Sequence, residues 1–289
     1  MQTEEKIQET LINAPPHKKV ALCFIISYSH ILNQEEIWKK WIEPNKDWIN
    51  VYVHYKDFRK ISSPWLRAHC LPPSFIVSTS YYHVVSAYIS LLTFAHSHDT
   101  SNQWFCMLTD SCTPLISPQL FAERFSEYND KSIFRTKGAT WNPQFHQRAN
   151  LQHLPQPMRV EHDPWFTLTR LHVEKIRNYT TNPITQSIYL TVCRGGLANE
   201  TIFALMLDIF NDKDLNDDET NKKRNYINSS ATIADWSRRM SPTSPYLFSG
   251  TTNAEQNRRI IADLMKFNPL AMFLRKVNST FVLPSFSHS

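Results

Sequence analysis

The stretch VALCFIIS, residues 20–27, constrains the fold more than any other part of the chain. A continuous apolar run bounded by Lys18-Lys19 and a polar turn suits a central strand covered on both faces, as in a parallel sheet. The run LNQEEIWKKWI (32–42) follows, with Leu32, Ile37, Trp38, Trp41 and Ile42 at helical spacing. INVYVHY (49–55) then alternates as a strand does, and SFIVST (74–79) reads as another short strand. VVSAYISLLTFA (84–95) is apolar enough to pack as a helix on a sheet, and QWFCMLTD (103–110) returns to strand. Ser117-Pro118 supplies an N-cap followed by proline at the first helical position. Strands alternating with helices imply an α/β sheet whose ligands bind at the carboxyl ends of the strands, which is where Asp110 falls.

The second half is less regular. WFTLTRLHVEKIRNY (165–179) reads as a strand turning into a helix, and NETIFALMLDIF (199–210) as a helix capped by Asn199. After a polar loop over 211–224, TIADW (232–236) is a short strand, EQNRRIIADLMKF (255–267) a helix, and LAMFLRK (270–276) a closing strand. No internal repeat or linker interrupts this order. The reading is one domain over 18–289, preceded by a loose tail over 1–17 that ends at Pro15-Pro16.

Composition removes several function classes. Four glycines in 289 residues cannot write a G-x-G-x-x-G or Walker-type loop, so bound phosphate must be held by side chains and helix ends. A net charge of +5 is spread along the chain, and its densest basic cluster, Lys222-Lys223-Arg224, lies beside acidic residues. No basic stripe interleaved with aromatics is present, which argues against nucleic acid. Five cysteines stand at irregular spacing with no C-x-x-C pair, so zinc is not expected, and Cys23 and Cys106 read as reduced core residues. VALCFII is too short to span a bilayer, and the mixed-charge residues before it do not make a signal peptide. The expectation is a soluble cytoplasmic chain, or one trimmed from an anchored parent in a Golgi-like lumen.

Two motifs have stronger bland readings than functional ones. Asp212-Lys213-Asp214 spells the D-x-D of metal-dependent nucleotide-sugar enzymes, but it follows a helix in a charged loop instead of closing an apolar strand. The same run departs from an EF-hand loop at Asp217 and Lys223. Four glycosylation sequons, at Asn178, Asn199, Asn228 and Asn278, are common by chance in such a composition. Glu200 is the candidate catalytic residue: a glutamate in a helix's first turn has its ionised form favoured there, and the Gly195-Gly196 turn before it could let a ligand approach. Its bland alternative is a helix-starting charge, and for Asp110 it is a turn cap. Arg258, Arg259, Arg275 and Lys276 form two basic pairs that bind a diphosphate without metal if they converge, and serve as surface ion pairs if they do not.

Five stretches, in order from 19 to 277, carry a resemblance. "VYVHYK" (51–56) is similar to a family strand ending in Val-His that contacts uridine, and "WFCMLTDSCTPL" (104–115) to "FVLLSESCIPL". "WFTLTRLHVEKI" (165–176) resembles "WFxLxRxxA", "ADWSRRMSPTSP" (234–245) resembles "VDWSRxxxHP", and "FLRKV" (273–277) resembles "FARKF". On these motifs the chain resembles the core-2/I-branching β-1,6-N-acetylglucosaminyltransferase family, especially its plant branch. The resemblance implies a GT-A-type single domain with a mostly parallel central sheet flanked by helices. It implies inverting, metal-independent transfer from a UDP-sugar (N-acetylglucosamine or xylose) to a glycan or glycoprotein hydroxyl, with no cofactor. Position by position, Glu200 matches the glutamate of the family's "DEH" motif, the general base. Lys276 matches the lysine that neutralises the diphosphate, Arg258 or Arg259 an arginine sharing that duty, His54 the histidine near uridine, and Trp236 an acceptor-side tryptophan. Asp110 would form a shelf between donor and acceptor and bind a sugar hydroxyl. Asn199 stands where the family has aspartate, and Ile202-Phe203 where a histidine is common. Those departures leave open a protein of this fold that binds nucleotide sugar or glycan without turnover; a metal-dependent transferase using Asp212 and Asp214 is the other alternative.

Overall fold

The computed structural model describes residues 18–140, 148–209, 225–241, 244–251 and 253–283. The proposed tail over 1–17 and the D-x-D loop with Asp212 and Asp214 lie outside the described residues. The central sheet begins with β1 (Lys19–Ile25), β2 (Ile49–His54) and β3 (Asn102–Thr109), and β1 pairs in parallel with both others. Three short strands complete it: β5 (Ser132–Ile133), β8 (Thr167–Thr169) and β9 (Tyr226–Ile227), giving the order β2-β1-β3-β8-β5-β9. β8 is antiparallel to β3 and β5, while β9 is parallel to β5. One reversed strand in six makes the sheet mixed and mostly parallel, an arrangement consistent with a single GT-A-like domain.

The apolar run of β1 is continuous because both its faces are covered. Ala21 and Cys23 point into one core with α3 (Val85–His98), α5 (Arg170–Thr181) and α7 (Ile202–Met206). Val20, Leu22 and Phe24 point into the other, against α1 (Glu35–Ile42) and α4 (Pro118–Tyr128). Trp38 and Trp41 of α1 meet Phe24 and Phe121 edge to face, at 5.0 and 5.1 Å between ring centres. The Ser117 Oγ accepts from the Leu120 N–H, so the N-cap read from the sequence starts α4. Cys23 and Cys106 are buried free thiols, as expected.

The segment 74–79 is not a strand. Pro73–Phe75 forms a 3-10 turn, and the edge of β2 where another strand would pair is occupied by Cys70, which bridges Val53. Pro72 and Pro73 have no N–H to offer a ladder, and the Val77 N–H is donated instead to the His54 ring. Likewise 199–210 is not one helix. A 3-10 turn, Ala198–Glu200, breaks at Thr201 before the short α7, and the Asn199 side chain caps nothing.

At Asp110 the chain turns out of the large sheet into a smaller one. β4 (Cys112–Pro114) pairs antiparallel with β11 (Phe273–Arg275), which pairs in parallel with β10 (Thr232–Ala234). The closing strand is therefore shorter than LAMFLRK, limited to the three residues that β4 can pair. α8 (Ala254–Phe267) packs Ile260 and Ile261 over this sheet against Phe248, Leu274 and Val277. The two sheets meet at the carboxyl ends of β1, β2 and β3. Among the described residues no helix is long and apolar enough to cross a membrane.

Candidate active site

The junction of the two sheets gathers most of the residues singled out by the sequence. Asp110, 9% exposed, accepts from the Ser27 N–H at 2.9 Å and from the Ser29 hydroxyl at 3.3 Å, both through Oδ2. Its carboxylate thus fixes the loop after β1 to the end of β3, which is the turn-organising alternative noted above. One residue further, the Ser111 hydroxyl and the Thr109 hydroxyl accept from Arg275 Nη1. Arg275 lies opposite Cys112 in the β4–β11 ladder, and its guanidinium stacks on the Trp165 ring at 4.4 Å. Its Nε is buried without a partner, a donor held ready on the cleft side of the strand. Lys276 follows, half-buried, with no ionic partner among the described residues.

His54 closes β2 and is fully buried. Its Nε2 accepts from the Val77 N–H at 3.2 Å, so the proton sits on Nδ1, which has no partner. Burial first, then the Lys56 charge, lowers its pKa to about 4, so the ring is neutral. Lys56 itself donates to Thr79 and lies 4.9 Å from the centre of the Tyr28 ring. Tyr28 is 69% exposed at the same edge of the sheet.

Glu200 stands on the 3-10 turn across the cleft, with its side chain 26% exposed. Leu197, just before the turn, is left-handed (φ 59°) and donates its N–H to Tyr82 O at 2.8 Å. Gly195 lies so close to Asn150 and Ala149 that a Cβ would collide with their backbone. Ala149 donates to Gly196 O at 2.9 Å, and this bridge brings Arg148 beside Glu200, Nη1 to Oε2 at 3.4 Å. Burial raises the Glu200 carboxyl to about 7; Arg148 opposes the shift, while Glu161 and Asp163 add to it. Such a group takes a proton at neutral pH far more readily than an ordinary carboxylate.

Tyr88 is 4% exposed, its ring packed against Phe203 and Phe166 at 5.5 and 6.1 Å between centres. An open pocket of about 290 Å³ is lined by Arg135, Asp163, Ser230 and Trp236 among others, and by Trp165, on whose ring Arg275 stacks. Trp236 is 45% exposed there. The Ser230 hydroxyl donates to Asp163 Oδ2 at 2.6 Å, and burial raises the Asp163 carboxyl.

Arg258 and Arg259 stand apart from this group. They are 49% and 77% exposed on α8 and pair with Glu255 at 3.7 and 3.1 Å, the surface ion-pair alternative of the sequence reading. Among the described residues, no group of three His, Cys, Asp or Glu side chains is arranged to hold a metal. Asn199 is 7% exposed, so the folded chain has no room for a glycan at that sequon.

Sequence reasoning missed Arg148, Glu161, Asp163 and Trp165. Trp165 opens the "WF" motif and Asp163 stands two residues before it, so both were within reach of it. Arg148 follows a segment with no periodicity. Residues 22–259 match the family model described as Core-2/I-Branching enzyme. No match to a curated protein was found.

Proposed function

Because the chain belongs to the core-2/I-branching enzyme family, a family of glycosyltransferases, we propose that it moves a sugar from a UDP-sugar to a glycan or glycoprotein hydroxyl, with inversion and without a metal. The observation that carries this reading is Glu200, mostly buried on the turn Ala198–Glu200 beside Arg148, with a carboxyl that burial raises to about 7, in a chain that also sets Arg275 at the junction of the two sheets. Glu200 takes the proton of the acceptor hydroxyl as that oxygen attacks the anomeric carbon. The bond from that carbon to the diphosphate breaks, and UDP leaves with the electron pair. Base assistance of this kind accelerates transfer by roughly 10²–10⁴.

Arg275 and Lys276 supply the positive charge the departing diphosphate needs, in a cleft partly shielded from water, where fixed charge acts most strongly. Arg258 and Arg259, tied to Glu255 on the surface, contribute long-range attraction at most. Neutral, buried His54 shapes the uridine side, and the Nδ1 proton it holds is its one free hydrogen bond. Asp110 acts by holding the β1 loop in place, and its sugar contact, if made, uses the carboxylate oxygen not engaged by Ser27 and Ser29. On the acceptor side, Trp236 offers a ring face to a pyranose beside Asp163 and Arg135. The donor sugar is N-acetylglucosamine or xylose.

The test is UDP release over a panel of UDP-sugars in EDTA, with wild type and Glu200→Gln. Release specific to one donor, insensitive to EDTA and reduced roughly 10²–10⁴-fold in the variant is expected. Release that disappears in EDTA would favour a metal-dependent reaction, and UDP binding without turnover a sugar-binding protein.

A further inference from the structure

The segment 77–82 is anchored at both ends. At its start the Val77 N–H is donated to the His54 ring, and Thr79 O accepts from Lys56 Nζ at 2.8 Å and from the Tyr28 hydroxyl at 3.3 Å. This end is therefore fixed to the carboxyl edges of β1 and β2. At its other end Tyr82 O accepts from the Leu197 N–H at 2.8 Å, three residues before Glu200. The Tyr82 ring lies over the same turn, since a Cβ on Gly196 would stand 3.4 Å from its Cδ1. Between the anchors the chain reverses in a tight hairpin, where Ser80 and His83 exchange two backbone hydrogen bonds of 3.2 Å. Its two-residue tip is Tyr81-Tyr82.

Turn chemistry does not ask for tyrosine at such a tip, where glycine, asparagine and aspartate are the favoured residues. Core packing does not ask for it either, because Tyr81 is 60% and Tyr82 54% exposed. The two rings meet edge to face, 5.2 Å between centres and 86° between planes, so each limits the other's movement. An aromatic corner held this way loses little freedom on binding. It offers a flat apolar surface on which the C–H face of a pyranose packs while the sugar hydroxyls stay outward. We propose that the Tyr81-Tyr82 tip is a binding platform on which a pyranose ring of the acceptor glycan stacks, with its hydroxyl presented to Glu200. The platform rests on the transferase reading above. Its occupant is the acceptor because the tip is tied to the turn that carries the proposed base, whereas the donor's uridine and diphosphate are assigned to His54, Arg275 and Lys276.

Tyr81→Ala and Tyr82→Ala each remove one ring, and Tyr82→Phe keeps the ring without its hydroxyl. Acceptor KM is expected to rise roughly 10-fold in each alanine variant. Donor KM, UDP affinity by calorimetry and melting temperature should stay at the wild-type values, and Tyr82→Phe should behave as wild type. A rise in donor KM in place of acceptor KM, no change in either, or a matching loss of melting temperature overturns the platform and leaves the transferase reading intact. A wild type that turns over no UDP-sugar overturns that reading by itself. The platform is then read by saturation-transfer NMR with methyl β-glucoside, β-galactoside and β-N-acetylglucosaminide. Binding that is lost in the alanine variants sustains it as a glycan site, and binding that is absent or survives both substitutions overturns it.

Discussion

Glu200 sits between two opposing influences, burial pushing its carboxyl up and Arg148 pulling it down. Removing the cation while keeping the length of the side chain, as in Arg148→Met, leaves burial unopposed. With Glu200 as the proposed base, an acid limb of kcat/KM near pH 7 is expected in the wild type, moving to higher pH in this variant, as read from a pH–rate profile. The same shift has a cost in stability. A carboxyl that is raised on folding binds its proton more tightly in the folded chain, so its contribution is complete below the unfolded value near 4.5 and is lost as pH rises through about 7. Glu200→Gln removes that dependence. Urea melts at pH 5 and pH 8 should show the wild type losing roughly 2–3 kcal/mol more than the variant between the two. A fall of equal size in both proteins would mean that other groups set the pH dependence. Glu200 was a candidate in the sequence through its match to the family motif. Its elevated pKa was not legible there, because the burial that raises it, the charge of Arg148 that opposes the shift and those of Glu161 and Asp163 that add to it come from segments far away in sequence.

The turn that carries Glu200 is fixed by backbone contacts more than by its own propensity. Gly195 presses against Asn150 and Ala149, and the latter two are left-handed, as is Leu197 on the other side. Gly195→Ala forces a shift of that backbone, and a loss of roughly 1–3 kcal/mol together with reduced kcat is expected. Thermal melts alongside turnover check it; an unaffected variant would show that the turn has slack. The sequence drew a single helix over 199–210 because the apolar run is long and contains no proline. The break falls at Thr201, whose backbone leaves the helical region (φ −139°) between the 3-10 turn and α7, and it leaves no periodic signal. The failed strand at 74–79 has a tertiary origin, since its β-branched residues favour a strand while Cys70 already holds the edge of β2. By contrast β1, α1, β2, α3 and β3 were legible because each buries a long, regular pattern. Strands of two or three residues, such as β5 and β9, have no period to read.

At the scale of the molecule, the cleft exists because two sheets are joined at Asp110-Ser111 and held together elsewhere. Arg124 of α4 is one such tie, donating to Ala271 O and Pro269 O at 2.7 Å each, just before β11 begins. Arg124→Ala leaves those carbonyls unpaired and is expected to cost roughly 1–3 kcal/mol, with a rise in donor KM as Arg275 loses its anchor strand. A denaturation curve and donor kinetics read both effects, and unchanged values would mean that the small sheet holds its position without Arg124. The proposed roles, Glu200 as base and Arg275 as the cation for the departing diphosphate, lead to one stereochemical outcome. If Glu200 takes the acceptor proton on the face away from the diphosphate, displacement occurs in a single step and the anomeric centre inverts. Proton NMR of the product made from an α-linked UDP-sugar tests this most directly. A β-linked product is predicted, and an α-linked product would contradict Glu200 as the base of an inverting transfer.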